Sequence, residues 1–192
     1  MKFLMRQCLL LCAAMTMVAA ASAEPAGTSA AGQSIADALC AATSAPIAFV
    51  PDGVLNSTGK KDDLSTWIQF PAESVSVVRL TGKQIRSALE RSVSLFPSSN
   101  PSFLQVSGID VVFDKDKSPD KRVVSATVLG AALEDAKSYE VAMPTSLAKG
   151  GLGYFMIWEK TAVVRTLPKT TMGGLCAGKP VLDSDARWKQ AG

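Results

Sequence analysis

The sequence has no histidine among its 192 residues. That absence removes the usual general base, the Ser–His and Cys–His nucleophile pairs and the commonest metal ligand together. A zinc hydrolase goes with them, because its site normally takes at least one imidazole. No catalytic residue, metal ligand or cofactor is assigned. A strong excess of one charge is also lacking: 20 basic against 17 acidic residues give a formal net charge of +3. No broad field for nucleic acid or for an acidic membrane surface follows. Cysteine is scarce, with four in all, and Cys8 and Cys12 fall in the first residues.

Those first residues carry a pattern of their own. Lys2 and Arg6 precede an apolar run from Cys8 to Ala21, and Ala21 and Ala23 form a small-residue cleavage site. The layout is that of a secretory signal peptide over residues 1–23, cleaved after Ala23. The expectation is an exported protein, periplasmic or secreted, with no membrane span after cleavage. A lipoprotein anchor on Cys8 or Cys12 is the rival, disfavoured by the bulky Gln7 and Leu11 before them. Cleavage leaves Cys40 and Cys176, which in an oxidising compartment are expected to form one disulfide. Closing so long a loop is worth about 4–5 kcal/mol in the chain-entropy model. The other reading is two separate buried thiols.

Along the rest, residues 24–32 read as a flexible leader, and Ser34 as the cap of a short helix ended by Pro46. "IAFV" (residues 47–50) is a short buried strand. "SVSVVRL" (74–80) is a β-branched strand, followed by a helix that Thr81 and Gln84 open as a capping box. A second short helix is expected within 63–70. "FLQVSGIDVVFD" gives two strand pieces bent at Gly108; residues 123–129, 139–144 and 161–167 are further strands. Residues 169–192 read as a loop-like tail. The fold class expected is α+β: a single domain over 33–168, with a mixed β-sheet and helices packed on it.

Three patterns invite chemistry. Ser57-Thr-Gly-Lys60 matches a Ser-x-x-Lys nucleophile motif, but a charged run, Lys60 to Asp63, replaces the buried helix such a nucleophile opens. The same stretch misses a phosphate loop by one residue of spacing and by its hydroxyl, since Lys61 stands where Ser or Thr belongs. The glycine loop "AKGGLGY" is more promising. Gly150, Gly151 and Gly153 permit close backbone approach or positive φ, and Tyr154 follows at once. Phe103 opens a strand after a loop, where a ring can project. An aromatic face with backbone donors suits a flat polar ligand. The alternative is that the aromatics are core and the glycines only turn the chain.

The ordered set "LTGKQIRSALERSV", "FLQVSGIDVVFD" and "RVVSATVLGAALEDAKSYEVAMPTSLAKGGLGY" resembles the C-terminal domain of secreted 5′-nucleotidases and UDP-sugar hydrolases. "DLSTWIQFPAESVSVVRLTG" extends the likeness upstream, over roughly residues 33 to 160. The resemblance implies a substrate-binding domain, hydrolysis being the work of a separate two-metal phosphoesterase domain that nothing in this sequence resembles. It also implies two rings around a base, an Asp in the glycine loop on the ribose, and arginines on phosphate. Phe103 matches the first ring; Ser146 stands at the second, Leu152 at the Asp, and Asn56 near a phosphate-binding Arg. The expectation is a degenerate copy that is not an enzyme by itself and binds a nucleotide or nucleoside-like molecule weakly, or a partner protein. The alternative is a split nucleotidase subunit that completes a separately encoded metallophosphoesterase chain.

Overall fold

The computed structural model describes residues 27–191; the expected signal peptide lies outside them. Helix α1 (Ala30–Thr43) leads into strand β1 (Ile47–Pro51), and a 3-10 turn, Asp52–Val54, follows at once. A second 3-10 turn, Leu64–Trp67, precedes β2 (Ser74–Thr81) and α2 (Gly82–Val93). Strands β3 (Leu104–Ser107), β4 (Ile109–Phe113), β5 (Val123–Val128), β6 (Ala131–Ala132) and β7 (Ser138–Pro144) come next. A short helix α3 (Thr145–Ala148), the turn Gly151–Met156, β8 (Val163–Thr171), α4 (Met172–Cys176) and β9 (Trp188–Gln190) complete the chain.

The strands form two sheets. One has the order β3-β1-β7-β2-β8, the other β6-β5-β4-β9. Each mixes pairings: β1 runs parallel to β7, and β4 parallel to β9, while the remaining neighbours are antiparallel. Alternation along each strand decides which face a residue joins. In β1, Ile47 and Phe49 point into one core and Ala48 and Val50 into the other. In β2, Val78 and Leu80 share the first core with α2 and the second sheet, while Val75 and Val77 share the second with α1 and α4. The five-stranded sheet is thus covered on both faces, as an α+β layer architecture requires.

Local signals explain most of these elements. Thr81 accepts from the Gln84 amide and Gln84 reaches back to the Thr81 amide, so the capping box forms as expected. Gly108 takes φ +72, and a Cβ there would strike the Pro46 carbonyl; only glycine lets the chain bend between β3 and β4. Two expectations are corrected. Helix α1 begins at Ala30, not after Ser34, because Ser29 supplies the same cap by accepting from the Gly32 amide at 2.9 Å, and an alanine-rich turn follows readily. The end of the chain is not a loop-like tail. β8 runs to Thr171, whose side chain caps α4, and Trp188 is buried in the first core and donates to the Leu104 carbonyl at 2.9 Å.

Cys40 and Cys176 are free thiols, so the expected bridge is not formed here. The Cys40 thiol is hydrogen-bonded with Ser107 and feels the charges of Asp37 and Arg187, and the Cys176 thiol feels those of Lys179 and Asp63. Burial pushes both thiols up, Cys176 to about 11, which keeps them protonated and unreactive at neutral pH.

Candidate functional site

The glycine loop is built from its backbone outwards. Gly150 (φ +88) and Gly153 (φ +81) are left-handed, and so is Leu152 (φ +54), where a branched side chain is strained. A Cβ on Gly150 would lie 2.7 Å from the Phe155 Cα, and one on Gly151 would lie 2.9 Å from the Ser146 carbonyl oxygen. The glycines are therefore required by the loop's own folding. Three donors hold the strained turn through the Leu152 carbonyl: Arg91 Nε at 3.2 Å, Arg91 Nη2 at 2.6 Å and Ser102 Oγ at 3.1 Å.

Tyr154 is the loop's foundation and presents no face to a ligand. It is fully buried and stacks on Trp158 with ring centroids 4.9 Å apart. Its hydroxyl donates to the Ser102 carbonyl at 2.6 Å, and burial drives its pKa far above the ordinary tyrosine value. On the outer side Phe155 and Met156 are exposed and Leu152 is partly so.

Phe103 is corrected. It does not project at the sheet end: it is 2% exposed and packs on Trp188 with centroids 5.2 Å apart. The aromatic that reaches the cleft is Phe70, 56% exposed. It lines a cleft of about 400 Å³ with Pro51, Val54, Leu147 and Leu152, and with Ser146, Gly151 and Glu73. The loop residues Ser146, Gly151 and Leu152 thus meet at one place, with Phe70 and not Phe103 as the ring beside them. Phe70 precedes Pro71 in a polar stretch, and an exposed aromatic in that setting is the signal that was available. Among the described residues the cleft's one charged side chain is Glu73, whose Oε1 accepts from the Ser146 amide at 2.6 Å. Among the described residues no lysine or arginine lines it.

Asn56 faces elsewhere. Its Nδ2 donates to the Thr66 carbonyl at 3.0 Å, and it lines a second cleft of about 350 Å³ across the Asp52–Val54 turn. Burial pushes the Asp52 carboxyl there up to about 6, with the Gln105 hydrogen bond acting the other way. Among the described residues no cluster of metal-ligating side chains occurs, and no helix is long and apolar enough to cross a membrane.

Comparison with known proteins gives one consistent answer. The family model described as 5′-nucleotidase, C-terminal domain, matches residues 13–159. The snake venom 5′-nucleotidase of Naja atra is 40% identical over 89 residues, 42% of this chain and 17% of the venom protein. The apyrase of Anopheles gambiae is 33% identical over 135 residues, 66% of this chain and 24% of the apyrase. This chain therefore spans a quarter or less of those relatives. Among solved structures, a 5′-nucleotidase precursor from Thermus thermophilus superposes with a TM-score of 0.69 at 21% identity, over 88% of this chain and 38% of that one. The NAD nucleotidase of Haemophilus influenzae superposes with a TM-score of 0.52 at 22% identity, over 67% of this chain and 24% of that one. These structural likenesses establish the fold.

Proposed function

Because this chain belongs to the 5′-nucleotidase C-terminal domain family, we propose that it is an exported, non-catalytic binding module whose cleft takes the ring of a nucleoside-like molecule and does not hold a phosphate. The observation that supports this is the company Phe70 keeps. A half-exposed ring shares an apolar cleft with Leu152, Val54 and Leu147, and no cation among the described residues lines it. Stacking on one aromatic face is worth about 1–3 kcal/mol. The Glu73 carboxylate opposes a phosphoryl group by like charge, and Leu152 offers a ribose hydroxyl no acceptor. Weak binding with the phosphate contributing nothing is the result.

Calorimetry of the chain with adenosine, AMP and UDP-glucose tests it. Adenosine is expected to bind with a Kd of about 1 mM and AMP no more tightly; Phe70→Ala should abolish the heat. AMP binding tighter than adenosine, or no heat from any of the three, would sink the reading. The exposed Phe155 and Met156 on the same loop favour a second reading, a subunit that docks on a separately encoded phosphoesterase. An unchanged nucleotidase rate on mixing with such an enzyme removes it.

A further inference from the structure

The second cleft has a chemistry of its own. Its lining includes Asp52, Asn56, Ser57, Trp67 and Ser99 together with the apolar Leu55 and Pro101. We propose that it binds a small organic ammonium group, with the Asp52 carboxylate as counter-ion and the Trp67 indole as an aromatic wall.

The carboxylate is placed for that task. Gln105, itself fully buried, donates from Nε2 to Asp52 Oδ1 at 2.7 Å and to the Gly27 carbonyl, while its Oε1 accepts from the Ser29 amide at 3.2 Å. Among the described residues Asp52 forms no ion pair and is the one charged side chain lining the cleft. A carboxylate partly withdrawn from water with no counter-charge sits at a cost that a bound cation relieves. The indole is fixed too: Trp67 Nε1 donates to the Lys60 carbonyl at 2.9 Å, and the Trp67 carbonyl accepts from the Asn56 amide at 2.8 Å. A cation held against an indole face gains a further attraction. The volume of about 350 Å³ admits a trimethylammonium group and its short tail. The inference is independent of the ring-binding reading, because the two clefts share Gly53 alone.

The probe is choline, compared with its uncharged isostere 3,3-dimethylbutan-1-ol and with glucose, by following the Trp67 indole N–H resonance. Choline is expected to shift that resonance saturably, and the isostere to bind about tenfold more weakly or worse. Asp52→Asn should give the same loss while the melting transition is retained, because an amide oxygen can still accept from Gln105. Of the described residues lining the cleft, from α1 and the segment before it, the Asp52–Val54 turn and the stretch after it, Trp67 and the segment before β3, none but Asp52 titrates, and neither does Gln105 from β3, which bonds to it. Choline affinity should therefore fall about tenfold from pH 7.5 to pH 5 in the parent and stay flat in Asp52→Asn. The comparison of choline with its isostere needs no variant. No shift with choline, equal binding of the isostere, or glucose binding as tightly as choline would overturn the proposal.

Discussion

The two clefts on either side of the Asp52–Val54 turn share one stretch of chain, yet one carries several more polar side chains than the other. Pro51 and Val54 join Phe70, Leu147 and Leu152 in an apolar cleft, whereas Asp52, Asn56 and Ser57 line a mixed one with Trp67, Leu55 and Ser99. The backbone course is common to both, so the difference lies in which side chain each step of the turn delivers to which side. Cleft chemistry here is set residue by residue on a scaffold that does not change.

That scaffold is where the largest effect is expected. Tyr154→Ala removes a fully buried ring, its stack on Trp158 and its hydrogen bond to Ser102, at a cost of about 3–5 kcal/mol. Urea unfolding measures it, and both ligand responses should disappear together, since Ser102 and Leu152 tie the glycine loop to the segment before β3. Loss of one response alone would show that the clefts do not share a support.

A smaller effect separates the two clefts. The folded-state carboxyl of Asp52 titrates at about 6, above its unfolded value of 3.8. The folded protein holds that proton more tightly, so stability from this group is full below about pH 4 and is lost as pH rises through 6. Asp52→Asn escapes the loss. It should be more stable than the parent by about 2–3 kcal/mol at pH 8 and equal to it at pH 4, by urea unfolding at both values. Adenosine binding at Phe70 should be unaffected. An Asp52→Asn protein no more stable at pH 8 would show the carboxylate to be well solvated.

The smallest expected change sharpens the apolar side. Leu152→Asp puts an acceptor where the resemblance implies a ribose contact, in a left-handed conformation that Asp tolerates better than Leu. Adenosine should bind about tenfold more tightly, with choline binding unchanged. No gain would mean that the sugar does not lie against position 152.

The sequence showed best what is decided locally. The Thr81–Gln84 capping box, the bend at Gly108 and the β-branched strands depend on neighbours a few residues away, and each is found where its chemistry demanded. The glycine loop was legible as a loop for the same reason. Which ring reaches the cleft was not: Phe103 and Phe70 both sit beside turns, and only packing against Trp188, far along the chain, takes Phe103 inside. Trp188 and β9 carry no local signal, because their hydrogen bonds and core contacts are all long-range. Nothing local marks Asp52, since its desolvation comes from β3 and from the segment before α1.

The three hydrogen bonds on the Leu152 carbonyl have a consequence for how such a domain changes over time. The unusual turn is secured through a main-chain oxygen, by Arg91 and Ser102, and owes nothing to the side chain it carries. Position 152 is in effect a socket: a lineage can exchange its occupant, gaining or surrendering a ligand contact, without refolding the loop around it.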